Sequence, residues 1–376
     1  MIKRDRVLRL VLAFLSVFLF VSPDWIMAEE PPKVEFKPKV GGYIEGWYRN
    51  DSSDLSAQTT AATKVNNEFR VRRARIDVKG NVSEEVGYRV NGAFDGPSPA
   101  SGSATVKLWD GYITYKAHSF ANFTLGQFKY PFTLEGLEGT PDRIPVLRAE
   151  AINDIASKLG TKGGSFRDIG IMLGGGSKEA LGLKYGIAYI NGNGINAGDN
   201  GNAKDVVGRV TISPIDGLTL GGSGYSGKAQ DETASFEVNE GAYGAEMEFI
   251  LKDMGISFRG EYVTAKWENW NVATAAAASG KNQEPKGWYF QGAYKLSAGL
   301  QLMARYEDYE KDSNTANSHL KTTTLGGTYY IKDKTRITAN YVMRSPDNSS
   351  IVTAQETDAK GNKISNIFFV QMLVTY

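Results

Sequence analysis

Apolar and polar residues alternate with a period of two along most of this chain. Near the C-terminus, for example, Ile337, Ala339 and Tyr341 alternate with Thr338 and Asn340. Successive side chains of a β-strand point to opposite faces, so this pattern predicts strands with one apolar and one polar face. Sixteen such segments are recognisable, at approximately 39–49, 66–80, 83–95, 104–117, 120–131, 166–174, 179–191, 203–213, 217–227, 236–251, 254–268, 286–297, 299–310, 320–331, 334–344 and 364–376.

The lengths of these segments and of their connections indicate a membrane barrel. Segments of about ten to fifteen residues are long for globular strands and suit tilted strands that cross a bilayer. Tight turns such as 252–253 alternate with longer polar connections such as 228–235, and an even number of strands closes a sheet without leaving an edge in lipid. The sequence therefore predicts an all-β fold, a transmembrane antiparallel β-barrel of about 16 strands over residues 39–376. Its tight turns should lie at the same end as both termini of the barrel.

The last segment and the aromatic residues extend this prediction. Phe368, Val370, Met372 and Val374 occupy every second position and end on the C-terminal aromatic Tyr376. This resembles the signal by which outer-membrane barrels are recognised for assembly, although a final strand of a soluble sheet is an alternative. Aromatic residues near strand ends are expected to form interfacial girdles. The candidates are Trp47 and Tyr48, Phe128 and Tyr130, Trp267 and Trp270, Trp288 and Tyr289, and Tyr329 and Tyr330.

The N-terminus reads as an export signal. A basic start precedes the apolar run Leu10–Val21, which is short for a spanning helix, and cleavage after Ala28 is plausible. Residues 1–28 are therefore predicted to be a signal peptide and residues 29–38 a short lead into the barrel. A retained membrane anchor is the alternative.

Composition and charge exclude several function classes. The formal net charge is +1, which gives no reason to expect nucleic acid as a partner. The chain has no cysteine, and its two histidines, His118 and His319, fall at opposite ends of the predicted barrel. We therefore expect no transition-metal site, no cofactor and no enzymatic activity.

Arginines are concentrated in the segment Glu68–Val78. Apolar residues occupy one phase of the alternation up to Val71 and the other phase from Ala74. One extra residue at Arg72–Arg73, a β-bulge, would restore a single apolar face. Guanidinium groups need water or an acceptor, so these arginines are expected to face the lumen. Across the whole chain the predicted luminal charges are mixed: Arg70, Arg72, Arg75, Arg89, Lys129, Arg209, Arg259, Arg305 and Arg336, with Asp77, Asp110, Glu261 and Glu307.

The connection Phe132–Ser165, hereafter the long loop, is about twice the length of the others and contains apolar residues of its own. Long loops in compact domains are usually functional. Residues Arg148–Lys158 have the composition of a short helix. We expect the loop to fold inward and narrow the lumen, with an external cap as the alternative.

Three stretches carry a resemblance to a known family: Phe69–Ile76, Leu108–Tyr115 and Leu125–Phe132, which leads into the long loop. They resemble the phosphate-selective porin O and P family, most strongly over about 66–170. The resemblance implies a sixteen-stranded, usually trimeric outer-membrane channel. In this family, arginines and lysines on the inner wall and on the inward third loop guide and bind anions.

The resemblance also suggests residues for the pore. Arg72 and Arg73 match the family's pore arginines, and Asp110 lies where the family places an acidic residue near the constriction. The long loop departs from the family pattern, because acidic residues such as Glu135 and Glu138 accompany its basic ones. The predicted pore and anion-binding residues are Arg70, Arg72, Arg73, Arg75, Arg89, Asp110, Lys129, Arg143 and Arg148.

The expected function is passive diffusion of small hydrophilic solutes across the outer membrane of a Gram-negative-type bacterium, with anions such as phosphate preferred. The expected partners are small anionic or polar solutes, outer-membrane lipid and two further copies in a homotrimer. One alternative is a nonselective or cation-preferring porin. Another is a plugged structural or adhesive surface barrel.

Overall fold

The computed structural model describes residues 37–51, 67–96, 104–160, 165–199, 203–230, 237–268, 282–297, 299–332, 334–347 and 366–376. The predicted signal peptide lies outside these residues. The strands are β1 (Lys39–Asp51), β2 (Asn67–Asn81), β3 (Val86–Asp95), β4 (Thr105–His118), β5 (Ala121–Lys129), β6 (Arg167–Ser177), β7 (Leu183–Ile190), β8 (Asp205–Ile215), β9 (Leu218–Gln230), β10 (Glu237–Leu251), β11 (Ile256–Trp267), β12 (Lys286–Lys295), β13 (Leu300–Glu310), β14 (His319–Lys332), β15 (Thr335–Pro346) and β16 (Asn366–Thr375).

These strands form one closed antiparallel barrel in which each strand pairs with its neighbours in sequence. The barrel closes where β1 pairs with β16, with Tyr43 opposite Thr375. Short turns, such as the two residues between β8 and β9, all lie at the end where β1 begins and β16 ends. The predicted barrel of sixteen strands and its topology are therefore confirmed.

Burial alternates along the strands as the sequence pattern predicts. On β16, Phe368 and Met372 are exposed on the outer surface, whereas Phe369, Gln371 and Leu373 are buried on the inner side. An apolar outer row is what hydrocarbon requires of a barrel wall. The predicted lipid-facing row of the last strand is therefore correct.

Part of the girdle prediction is wrong. Trp288 and Tyr329 are exposed on the outer surface, as expected. Trp47, Phe128 and Trp267 are buried inside the barrel instead. Adjacent residues of a strand point to opposite faces, so only one ring of Trp47 and Tyr48 can point toward lipid, whereas Phe128 and Tyr130, two positions apart, share the inner face.

Two β-bulges interrupt the register near the arginine segment. Arg73 lies opposite Glu45 and Val71 opposite Gly46, so Arg72 is the extra residue on β2. The bulge predicted at Arg72–Arg73 is therefore confirmed. A second bulge lies on β4, where Asp110 has a partner on β3 and the neighbouring Trp109 is the extra residue. The bulge turns the ring of Trp109 inward.

The connection between β5 and β6 contains two helices, α1 (Leu134–Leu137) and α2 (Glu150–Lys158). The second matches the helix predicted over Arg148–Lys158. A single 3₁₀ turn, Lys252–Met254, joins β10 to β11. Among the described residues, the helices lack the length and apolar character needed to cross a bilayer.

Candidate pore constriction

A stripe of arginines follows the inner face of β2 and continues onto β3. Arg70, Arg72, Arg73 and Arg75 descend along β2 from its extracellular end. Arg89 on β3 lies at the level of Lys79. At about 3.3 Å per residue, the stripe covers about 30 Å of the wall. The wall therefore presents positive side chains over most of the height of the barrel.

Most of these arginines are paired with carboxylates. Arg73 donates to the buried Glu45 on β1 at 2.8 Å, and Arg75 pairs with Asp95 on β3. The Nε of Arg89 lies 2.6 Å from an oxygen of Asp77 on β2. These contacts bring the predicted arginines together, and they also neutralise much of their charge locally.

Asp110 lies at the centre of a second group of contacts. Arg167 on β6 donates to both of its oxygens, at 2.7 and 3.3 Å, and Arg89 approaches it to 3.5 Å. The ring of Trp109 lies 4.4 Å from the guanidinium of Arg75 and 4.5 Å from that of Arg167. Cations at these distances are attracted to an aromatic face. Trp109 therefore lies between the ion pair of Arg75 and the ion pair of Arg167.

Arg70 and Arg72 differ from the rest of the stripe. Within the described part of the chain, neither has a carboxylate at salt-bridge distance. The guanidinium of Arg72 lies over the ring of Trp47 at 5.1 Å. The Nε1 of Trp47 and the Nε of Arg70 are buried without a hydrogen-bond partner among the described residues. This region therefore combines positive charges that have no direct ion pair among the described residues with unused donors.

Wall carboxylates hold the N-termini of both loop helices. Glu261 on β11 accepts hydrogen bonds from the backbone N–H groups of Leu134 and Glu135, at 2.7 and 2.8 Å. Glu307 on β13 accepts from the N–H of Glu150 at 2.6 Å. The first N–H groups of a helix have no partner inside the helix, and its dipole favours a negative charge there. The side chains of the inner wall thus supply the caps.

Basic side chains hold the carbonyl groups of the same loop. The Nζ of Lys129 on β5 donates to the carbonyls of Gly136, Leu137 and Glu138 at 2.8–3.1 Å. Arg336 on β15 donates to three further loop carbonyls, of Thr140, Pro141 and Arg143. The long loop therefore lies against inner-wall side chains from β5, β11, β13 and β15.

The two predicted loop arginines are also occupied. Arg143 is buried and donates to the carbonyls of Pro145 and Val146 at 3.1 and 2.7 Å. Arg148 donates to the carbonyls of Glu135 and Glu138 at 3.1 and 3.2 Å. Both add positive charge to the constriction, but their donors already stabilise the loop backbone.

Apolar packing fixes the second helix. Ile152, Ile155 and Leu159 are buried in one cluster with Trp267 and Tyr289 of the inner wall. Polar contacts flank this cluster on the wall side, where Arg344 on β15 donates to Glu150 at 2.6 Å. The apolar residues noted in the long loop thus form the core between α2 and β11–β13.

Glu138 is one of the acidic loop residues that contact cations of the wall. Its carboxylate accepts from Arg259 on β11 at 2.7 Å. Burial raises the pKa of Glu138 above its ordinary value, and the guanidinium of Arg259 offsets part of this increase. The acidic residues of the loop therefore compensate wall cations, so this loop differs from a lysine-rich one.

Several residues at the constriction were not among the predicted pore residues. Glu45, Asp95 and Arg167 complete the ion pairs, and Trp47 and Trp109 provide the rings. Glu45 and Arg167 could have been predicted only from their positions in the alternation of β1 and β6, which place both side chains on the inner face. The bulge at Trp109 could have been recognised in advance, because the outward apolar residues change phase from Val106 and Leu108 to Ile113 and Tyr115.

Comparisons with known proteins agree with this geometry. Solved structures that share the fold include an anion-selective porin from Comamonas acidovorans (12% identity, TM-score 0.66, 91% of this chain and 99% of that chain), the outer-membrane channel DcaP of Acinetobacter baumannii (13%, 0.62, 93% and 100%), and the trimer form of OmpT from Vibrio cholerae (11%, 0.60, 91% and 99%). No curated protein sequence matches significantly.

A sequence profile identifies the family. The profile of the phosphate-selective porin O and P family matches residues 44–368, which is most of the barrel. The match includes the arginine stripe, the long loop and nearly all of the sixteen strands. The chain therefore belongs to the phosphate-selective porin O and P family of outer-membrane porins.

Proposed function

We propose that this porin conducts small hydrophilic solutes with a preference for anions, and that Arg70 and Arg72 supply much of this preference. The observation that carries the proposal is that both arginines lack a carboxylate partner among the described residues, while their neighbours on β2 are paired. An uncompensated charge in a narrow, low-dielectric wall raises the local concentration of counter-ions. Family and fold are those of a channel rather than an enzyme.

The nature of the donors supports oxyanions as solutes. Each guanidinium presents a planar fork that matches the oxygens of a carboxylate, sulfate or phosphate group. Arg89, Arg167 and Asp110 form a neighbouring network in which an acidic residue separates two cations. In the proposal, an anion passes along the basic stripe of β2 and β3. It faces the long loop, whose backbone carbonyls accept hydrogen bonds from Lys129, Arg143 and Arg148.

A homotrimer is part of the proposal. One of the solved structures with this fold is a trimer form of OmpT, and the family resemblance implies the same assembly. Cross-linking of the porin in native membranes, followed by purification and counting of the subunits by mass, tests this clause separately from conductance.

Reversal potentials in a salt gradient test the anion preference. Planar-bilayer recordings of the folded protein in potassium chloride, and then in potassium phosphate, are expected to give potentials of the sign for anion flow. A cation-selective potential would favour the nonselective or cation-preferring alternative. A folded preparation that never conducts would favour a plugged structural barrel and overturn the proposal.

A further inference from the structure

An apolar groove lies on the outer face of the barrel, near the end with the tight turns. Its volume is about 300 Å³. The lining side chains come from the β8–β9 turn and from three consecutive strands: Ile215, Leu218, Met247, Phe249, Phe258 and Phe290. All of them are apolar, and most are exposed on the face opposite the lumen.

Two glycines explain why the surface is hollow here. The register places Gly260 between Met247 on β10 and Phe290 on β12. Gly292 lies beside Phe258 on the next row. The rings of Phe258 and Phe290 stack at 5.9 Å with an interplanar angle of 18° and form one wall. Because the glycines have no side chain, the outer surface dips between rows of large apolar groups.

The location of the groove indicates what covers it. The outward apolar band of an outer-membrane barrel faces hydrocarbon, and the tight turns of such barrels lie on the periplasmic side. An unfilled groove would lose van der Waals contacts along its walls, so an acyl chain that enters it gains contacts that a smooth wall does not offer. On the periplasmic side the surrounding lipids are phospholipids.

Charged residues lie at the lower end of the groove. Lys252 and Asp253 are exposed in the 3₁₀ turn between β10 and β11. Lys295, also exposed, ends β12, and its backbone N–H donates to Gly255 beside that turn at 2.8 Å. Two cations next to one carboxylate complement a headgroup that carries a phosphate and an amine.

We propose that this groove binds one acyl chain of a phosphatidylethanolamine molecule of the periplasmic leaflet. The phosphate of the lipid contacts Lys252 and Lys295, and its amine contacts Asp253. The acyl chain lies over Gly260 between Met247 and the stacked phenylalanine rings. The site lies outside the conduction pathway, so its occupancy does not depend on the solute preference proposed above.

Native mass spectrometry of the folded porin tests this site. The protein is reconstituted in bilayers of phosphatidylethanolamine and phosphatidylglycerol, extracted, and scored for retained lipid. The wild type is expected to retain one phosphatidylethanolamine per barrel. Gly260→Leu fills the groove and should lower retention about tenfold, as expected when about two methylene groups lose their site. Lys252→Gln combined with Lys295→Gln should also lower it.

Gly224→Leu is the matched control, because Gly224 is an outward glycine of β9 with no atom within 4 Å of an added Cβ. It should retain lipid as the wild type does. A Cβ at Gly260 would lie 3.1 Å from the carbonyl oxygen of Tyr289. If Gly260→Leu does not fold, Met247→Trp narrows the groove through a side chain alone and repeats the test.

Two results would overturn the proposal. One is undiminished lipid retention in a folded, groove-filled variant. The other is that a second copy of the chain covers the groove, which Met247→Cys can detect. The natural chain has no cysteine, so a thiol-reactive photo-cross-linker attached at this position would join two barrels whichever residue of the second copy lies against the groove.

Discussion

Basic side chains inside this barrel form two groups that differ in their partners. Arg73, Arg75 and Arg89 each contact a carboxylate of a neighbouring strand. Arg70 and Arg72 do not have such a partner in the part of the chain that the structure describes. The fields of two paired charges largely cancel at a distance. Each arginine of the second group should therefore contribute more to the electric field in the lumen than each arginine of the first.

Arg72→Gln should therefore lower the anion-to-cation permeability ratio. A unit charge at about 4 Å in a water-like medium is worth about 1 kcal/mol, which corresponds to a change of about fivefold at low salt. The effect should largely vanish near 1 M salt, where the screening length is about 3 Å. Reversal potentials at low and high salt measure it. Arg72→Lys keeps the charge and should keep the ratio, and an unchanged ratio in Arg72→Gln at low salt contradicts the prediction.

Arg73 should behave differently, because its partner Glu45 is fully buried. Among the described residues, Arg73→Gln leaves that carboxylate with one hydrogen-bond donor, the side-chain amide of Gln371 at 2.7 Å. Breaking a buried pair by removing one partner commonly costs about 3–5 kcal/mol. The variant should unfold at lower denaturant concentration than the wild type, as measured by the tryptophan fluorescence of refolded barrels.

Glu45→Gln combined with Arg73→Gln is the control for this effect. It removes both charges of the pair and should recover most of the lost stability. If the double variant is as unstable as Arg73→Gln alone, the loss arises from packing and not from an unpaired charge.

At the scale of elements, the long loop depends on wall residues of both signs. Carboxylates of β11 and β13 accept from the N–H groups that begin α1 and α2. Lys129 donates to carbonyls at the C-terminal end of α1, and Arg336 donates to carbonyls that follow this helix. Helix termini leave these groups unsatisfied, and α1 has only four residues. The wall therefore stabilises a conformation that so short a segment would not keep alone.

Glu261→Gln should weaken the contact between the long loop and the inner wall. Its two oxygens accept from two backbone N–H groups and from the hydroxyl of Tyr289 at 2.7 Å, whereas an amide offers only one oxygen. Losing a charged hydrogen bond costs about 1.5–3 kcal/mol. We expect a noisier single-channel current with additional conductance levels, while the barrel remains folded.

Glu246→Gln is the matched control for the loop. Glu246 lies on the inner face of the neighbouring strand β10 and pairs with Arg209 of the wall. Removing this charge should shift selectivity without adding conductance levels. Equal noise in the two variants would show that the loop does not depend on the Glu261 contact.

At the scale of the whole molecule, the C-terminal residue fastens the barrel closure. Gly42 and Tyr376 exchange two backbone hydrogen bonds at 3.1 and 3.2 Å. The hydroxyl of Tyr376 reaches over β1 and donates to the carbonyl of Arg75 on β2 at 2.9 Å. A Cβ at Gly42 would lie 2.0 Å from that carbonyl oxygen. The last residue thus connects the first two strands and the final one.

Deletion of Tyr376, or its replacement by a charged residue, should impair assembly in the outer membrane. The lipid-facing row of β16 then loses its terminal aromatic, and β1 loses the bonds at its start. The amount of heat-modifiable folded barrel in isolated outer membranes measures the effect. Tyr376→Phe keeps the ring and should assemble nearly normally, whereas wild-type levels in the deletion would contradict the prediction.

Gly42→Val tests the same closure from β1. The added side chain would collide with the Arg75 carbonyl and with the ring of Tyr376, so folded barrel should decrease. Gly46→Val is its control, since a Cβ at Gly46 meets its nearest atom at 4.0 Å. A similar loss in both variants would indicate a general strand effect and not a closure contact.

The sequence by itself determined the strands, their faces, their order and the bulge on β2. These features follow from the period of two, because the position of a side chain along a strand decides its face wherever the strand lies. The same rule explains the error at Trp47 and Trp267, which the pattern of strand ends assigned to girdles while their parity directed them inward. Adjacent aromatic residues are not a girdle unless parity is included.

Only the tertiary structure decided which charges remain uncompensated and how the long loop is held. Glu261 and Glu135 are 126 positions apart in the chain and meet only after the barrel has closed. Partners of this kind leave no local pattern, because their distance depends on the curvature of the wall and on the path of the loop. The sequence predicted that the arginines face the lumen. The fold decided that the other arginines of the stripe contact carboxylates and that Arg70 and Arg72, among the described residues, do not.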